Sequence, residues 1–109
     1  MEAAIKRHRR KFQTLIRREY RKHGTIPLVA RVCCGVEEDL YSAEPGESPE
    51  DFTRFIRRTA AARGSWIAFV SCPFDPDTDD EGDARLLEIF PHDEPEEFGF
   101  SLTTPKRVS

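Results

Sequence analysis

The chain has 109 residues, of which 38% are hydrophobic and 34% charged, and its formal net charge at pH 7 is −3. This length corresponds to one domain, and eight Phe with one Trp are enough for a modest core, so we expect neither several domains nor a disordered chain. No apolar run approaches the ~20 residues that a membrane-spanning helix needs, and no apolar stretch of a secretory signal follows the charged N-terminus.

The charged residues are strongly segregated along the chain. Residues 1–24 carry nine basic and two acidic side chains, a net charge of +7. Residues 75–97 carry eleven acidic side chains and one basic side chain, a net charge of −10. Either segment can be a binding surface, or the two can neutralise each other within one fold.

The first half of the chain predicts a helix followed by a strand. Apolar residues recur at helical spacing over residues 3–23, with the basic residues on the complementary arc, and Gly24 is a typical residue to follow a helix. Residues 28–36 are almost continuously apolar, as in a central strand. Leu40 and Tyr41 predict a short second strand.

The second half begins with a capped helix. Ser48 is a typical N-cap, Pro49 suits the first helical position, and Asp51 completes a short capping box; this helix ends near Gly64. We expect its buried stripe to consist of Phe52, Phe55, Ile56 and Ala60.

Three strands are predicted after this helix. Residues 66–72 contain no charge, which indicates a strand buried on both faces. An acidic loop over 75–83 follows, and residues 85–90 and 98–104 predict a hairpin.

Together these elements predict one α+β domain over residues 1–104, with residues 105–109 as a frayed tail. The expected order is α-β-(β)-α-β-β-β. We expect the two helices to pack on one face of a mostly antiparallel sheet of three to five strands.

The basic face of the first helix is the main candidate surface. Its side chains are held on a rigid element and can act together, whereas the acidic residues lie largely in loops. We therefore predict a small, non-catalytic, cytoplasmic interaction or regulatory protein that binds a protein partner through this helix. The candidate contact residues are Arg7, Arg10, Arg17, Arg18 and Arg21.

Nucleic acid is the alternative partner for the same face, because several Lys and Arg side chains can reach phosphates at once. The chain has no helix-turn-helix spacing, zinc finger or aromatic RNA-binding motif. Binding to a membrane surface is disfavoured, since docking on the sheet explains the narrow apolar stripe more simply.

The acidic segment supports a second alternative, a calcium-binding module over residues 77–88. The spacing partly resembles an EF-hand loop, with Gly82 at the sixth place and Glu88 at the twelfth. Glu81 departs from the pattern at the fifth place, and prolines replace the flanking helices. The candidate ligands are Asp77, Asp79, Glu81, Asp83 and Glu88.

No motif in the chain points to catalysis or to a cofactor. There is no phosphate-binding glycine loop, nucleophile elbow or HExxH motif. The cysteines Cys33, Cys34 and Cys72 lack the spacing of a zinc site, and we expect buried, reduced thiols in a cytosolic protein. The expected oligomeric state is a monomer or a weak homodimer.

The layout resembles small bacterial α+β proteins of unknown function. The shared pattern is a basic first helix, a strand, a Pro-capped second helix, an aromatic strand like residues 66–71, an acidic loop like residues 75–83 and a final hairpin like residues 84–107. The resemblance supports the architecture and implies no activity.

Overall fold

Two helices and five strands follow one another in the computed structural model, which describes residues 2–90 and 93–103. The elements are α1 (Glu2–His23), β1 (Val29–Cys34), β2 (Glu37–Ser42), α2 (Pro49–Ala62), β3 (Ile67–Ser71), β4 (Asp83–Ile89) and β5 (Glu96–Ser101). The predicted α+β class and element order are confirmed, although β2 is longer than the two residues predicted for it. The predicted tail, residues 105–109, lies outside the described residues.

The five strands form one antiparallel sheet in the order β2-β1-β3-β4-β5, so β2 and β5 are its edges. β1 and β2 are joined by the two-residue turn Gly35–Val36, with Cys34 opposite Glu37. Gly35 has a φ of 62° and Val36 has a negative φ, which is the pattern of a type II′ hairpin turn. This tight turn fixes the register of the pair.

The two helices lie on opposite faces of the sheet, so the prediction that they share one face was wrong. Phe12 and Ile16 of α1 pack with Phe69 of β3, whereas Ile56 of α2 packs with Val70 of the same strand. Successive strand residues point to opposite faces, and β3 is buried throughout. An apolar strand of this kind needs a layer on each side, which the two helices provide.

Ser48 caps the N-terminus of α2 as predicted, but the Asp51 side chain does not complete the capping box. The Asp51 N–H donates to Ser48 Oγ over 3.1 Å, while the Asp51 carboxylate accepts from Arg54 rather than returning to Ser48. Phe55 was predicted to be buried, and 41% of it is exposed. Its ring packs on the edge of Tyr41 at a centroid distance of 6.0 Å.

Apolar packing and one ion pair hold α1 in a fixed position on its face of the sheet. The Phe12 and Phe69 rings stack at a centroid distance of 5.8 Å. About one helical turn earlier, Arg9 forms an ion pair with Glu88 of β4, whose side chain is 1% exposed, and the Arg9 guanidinium lies 4.0 Å from the Phe98 ring centroid. The hydrogen bond to Glu88 raises the pKa of Arg9. These contacts fix the rotation of α1 about its own axis.

The Arg9–Glu88 pair gives a direct test of this seating. Replacing Arg9 with Met leaves a buried carboxylate without its partner, and we expect a loss of about 3 kcal/mol in the free energy of unfolding. The double variant Arg9→Met/Glu88→Met removes both charges and is expected to recover most of this loss. Urea unfolding followed by circular dichroism measures both.

Arg10→Met is the matched control, because it makes the same change at the adjacent position, where the described residues form no ion pair with the side chain. We expect it to change the free energy of unfolding by no more than about 0.5 kcal/mol. Equal losses in the Arg9 and Arg10 variants would contradict the proposed seating.

Candidate functional site

A basic groove lies between α1 and the β2 edge of the sheet. It has a volume of about 820 Å³ and occupies the part of the sheet face that α1 leaves uncovered. One wall is the flank of α1, and the floor comes from β1 and β2. The lining residues are Ala3, Lys6, Arg7, Arg10, Lys11, Thr14, Leu15, Arg18, Arg31, Glu38 and Leu40.

The groove is strongly positive because five cations of α1 share the flank that forms its wall. Lys6, Arg10 and Arg18 recur at multiples of four residues, which places them on one side of a helix. With Arg31 on the floor the groove contains six cations and one acid, Glu38, a net charge of +5. Within residues 2–90 and 93–103, the side chains of Lys6, Arg7, Arg10 and Arg18 form no ion pair.

The single acid of the groove is shared among several basic side chains. Glu38 forms an ion pair with Arg31, which is only 9% exposed, and Lys11 Nζ lies 3.8 Å from Glu38 Oε1. His8 Nδ1 lies 2.7 Å from the same oxygen. Because Glu38 is used in this way, it does not neutralise the other cations of the wall.

The pKa of His8 lies below its usual value of 6.5. Burial is the main cause, and the positive charges of Arg31, Lys11 and Arg7 act in the same direction. The Glu38 carboxylate acts in the opposite direction, but Arg31 and Lys11 already share it. His8 also packs against the Trp66 ring, at a centroid distance of 5.5 Å. Burial and the neighbouring cations therefore favour the neutral imidazole.

His8, Cys33 and Glu38 bring three possible metal ligands together, with ligand atoms within 4.8 Å of one another. The chemistry around them does not favour a cation. Arg31 already occupies Glu38, and the same three basic residues that lower the pKa of His8 would repel a metal ion. Burial raises the pKa of the Cys33 thiol, which opposes formation of the thiolate ligand.

The five arginines predicted as contact residues do not share one surface. Arg7, Arg10 and Arg18 line the groove. Arg17 lies on the other flank of α1, where its Nε donates to the Ser101 carbonyl over 2.8 Å and its guanidinium faces Phe100. Arg21 is exposed in the last turn of α1, outside the groove lining.

The candidate calcium ligands of residues 77–88 lie in different surroundings in the structure. Glu88 is buried on β4 beneath α1 and is paired with Arg9. The Asp79 carboxylate accepts from the Asp75 N–H over 2.8 Å and contacts Arg85 Nε at 2.8 Å. Among the described residues, neither these two nor Asp77, Glu81 and Asp83 form a cluster of three ligand atoms. The loop uses its carboxylates to hold its own turn.

The sequence left open that the acidic and basic segments neutralise each other within the fold. Within the described part of the chain, no ion pair joins residues 75–83 to α1. The acids that reach the helix from the sheet are Glu38 and Glu88, both on strands.

Eight of the eleven groove residues were not among the predicted contact residues: Ala3, Lys6, Lys11, Thr14, Leu15, Arg31, Glu38 and Leu40. Lys6 and Lys11 share the helical arc of Arg7 and Arg10, so a helical wheel identifies them. Arg31 had a clearer signal, since it is a lone charge within the apolar strand β1. Leu40 is 61% exposed, and alternation along β2 places it on the same face as Glu38.

Comparisons with protein-family models, with curated proteins and with solved structures found no match for this chain. No helix among the described residues is both long and apolar enough to cross a bilayer.

The lowered pKa of His8 predicts a pH-dependent contribution to stability. An unfolded chain binds a proton at His8 below pH 6.5 more readily than the folded protein does, so this contribution is present above that pH and is lost as the pH falls. When the pH is lowered from 7 to 5, we expect the melting temperature of His8→Gln to fall less than that of the wild type. Melting followed by circular dichroism measures the difference, and equal losses would argue against a neutral buried imidazole.

Proposed function

We propose that this protein is a small, non-catalytic interaction module that binds an acidic segment of a partner protein in the basic groove. The observation that carries the proposal is a groove of net charge +5 in which four wall cations form no ion pair with the described residues.

The arrangement of these cations is costly for the free protein. Lys6 and Arg10, like Arg7 and Lys11, are like-charged pairs four residues apart, and each such pair destabilises a helix by about 0.2–0.5 kcal/mol. Among the described residues, no acid forms an ion pair with Lys6, Arg7 or Arg10. A bound carboxylate would relieve this repulsion, which supports an acidic ligand.

The chemistry of the groove favours a protein segment over nucleic acid. Leu15 and Leu40 offer apolar contacts, and among the described residues no aromatic side chain lines the groove to stack on a base. Nucleic acid remains the second candidate, because the wall presents five cations along one helix flank.

Fluorescence anisotropy distinguishes these partners. We would titrate the protein into a labelled twelve-residue peptide of Glu and Leu, a duplex DNA and a single-stranded RNA, at 50 and 200 mM salt. The expected result is that the peptide binds more tightly than either nucleic acid, with affinity falling as salt rises. Tighter binding of a nucleic acid at both salt concentrations would replace the proposal with the second candidate. No binding of the peptide at 50 mM salt would refute it.

Two matched variants test whether the groove itself is the site. Arg10→Glu/Arg18→Glu reverses two groove charges, and Arg21→Glu/Lys22→Glu reverses two charges of α1 outside the groove lining. Both change the net charge equally. We expect at least a tenfold loss of peptide affinity in the first variant and less than threefold in the second. Equal losses would mean that overall charge, rather than the groove, attracts the peptide.

A further inference from the structure

We infer that the acidic partner segment binds as an extended strand added to the free edge of β2, with its acidic side chains at alternate positions facing the basic groove. This inference rests on the proposed function and specifies how the segment is held. The ligand class is an extended peptide with an acidic residue at every second position.

The hydrogen-bond pattern of β2 shows which backbone groups are free. In an antiparallel pair, residues alternate between those that bond to the neighbouring strand and those whose N–H and C=O point away from it. The Ala43 N–H donates to the Leu28 carbonyl over 3.0 Å, which makes this pair a bonded one. Bonded and outward-pointing residues alternate along β2. The backbone N–H and C=O groups of Glu38, Leu40 and Ser42 therefore point away from β1.

These three residues also carry their side chains on the groove face. Glu38 and Leu40 line the groove. Ser42 lies two residues after Leu40, so its side chain is on the same face of the strand. An added strand would lie about 4.8 Å beyond β2 in the plane of the sheet. Every second side chain of that strand would stand on the face where Arg7, Arg10 and Arg18 form the wall.

The β2 edge carries three acids but lacks other features that usually prevent strand addition. It contains no Pro or Lys, and its register with β1 is uninterrupted, so there is no bulge. Its acids have basic partners within the protein: Glu38 pairs with Arg31, Asp39 pairs with Arg63, and Glu37 lies 4.0 Å from Arg63. Leu40, 61% exposed, offers an apolar contact at the centre of the edge.

The opposite edge of the sheet differs. There the Leu102 N–H donates to the Gly82 carbonyl, so the outward groups of β5 include those of Ser101. The Ser101 carbonyl accepts from Arg17 Nε. One outward position of β5 is thus occupied by the protein itself, whereas the described residues provide no hydrogen bond to the outward backbone of Glu38, Leu40 or Ser42.

A second copy of the chain is a poorer occupant of this edge. Pairing β2 with β2 of another copy would bring two grooves of net charge +5 side by side, and like charges repel. An acidic strand in the same place would be attracted.

The substitution Leu40→Pro tests the inference, because it removes one outward N–H and leaves the β1–β2 hydrogen bonds intact. Proline is tolerated on an edge strand where its nitrogen faces solvent. Leu40→Ala is the control, since it removes the same side chain and keeps the N–H. The probe is a labelled ten-residue peptide of alternating Glu and Thr. Its binding is measured by fluorescence anisotropy at 50 mM salt.

We expect at least a tenfold loss of affinity for Leu40→Pro and less than threefold for Leu40→Ala. Equal affinity of the wild type and Leu40→Pro would overturn strand addition while leaving the proposed function in place. Failure of the wild type to bind any acidic peptide would instead remove the proposed function. A wild-type dimer in sedimentation that Leu40→Pro converts to a monomer would show that a second copy occupies the edge, and would also overturn the inference.

Backbone methylation of the peptide provides the same test without changing the protein. Methylating the Glu nitrogens blocks an antiparallel added strand, and methylating the Thr nitrogens blocks a parallel one, since opposite sets of N–H groups face β2 in the two cases. We expect one methylated peptide to lose at least tenfold in affinity and the other to bind like the parent. Loss in both, or in neither, would contradict strand addition.

Discussion

The seating of α1 on the sheet is the constraint on which the other features of this protein depend. Phe12 and Ile16 are fully buried beneath the helix, and the Arg9–Glu88 ion pair holds one flank against β4. Together they set which residues of α1 face each direction. A rotation of one residue, about 100°, would move the groove cations away from β2.

This seating divides the nine basic residues of α1 into three groups with different surroundings. Arg9 and Arg17 bind the sheet on the β4–β5 side. Arg21 and Lys22 lie in the exposed last turn. The other five line the groove: Lys6, Arg7, Arg10, Lys11 and Arg18. The +7 segment of the sequence is therefore not one uniform surface, and only part of it is available to a ligand.

The acidic segment also divides once the chain is folded. Glu88 lies on a strand and is buried under α1, while Asp79 holds the turn that contains it. Sequence spacing shows neither role, because it records how far apart carboxylates are along the chain and not what they contact. The last ligand position of the EF-hand-like spacing, Glu88, is a buried strand residue.

Much of the fold could be predicted from the sequence, because local signals were strong. The Ser48 cap, the Pro49 start and the helical periodicity of α1 identify both helices. The placement of the helices on one face was wrong, although the charge-free strand β3 already indicated burial on both faces. The groove was only partly predictable, because its floor joins Arg31 of β1 to Glu38 of β2, and the sequence predicted only Leu40 and Tyr41 as the second strand.

The most direct test of the groove as a binding site is a nuclear magnetic resonance titration of the ¹⁵N-labelled protein with an acidic peptide. Amide shifts at β2 and at the groove side of α1, with little change in residues 75–83, are the result that we expect. Shifts that are largest in the acidic loop or on α2, or that spread evenly over the surface, would contradict a site between α1 and β2.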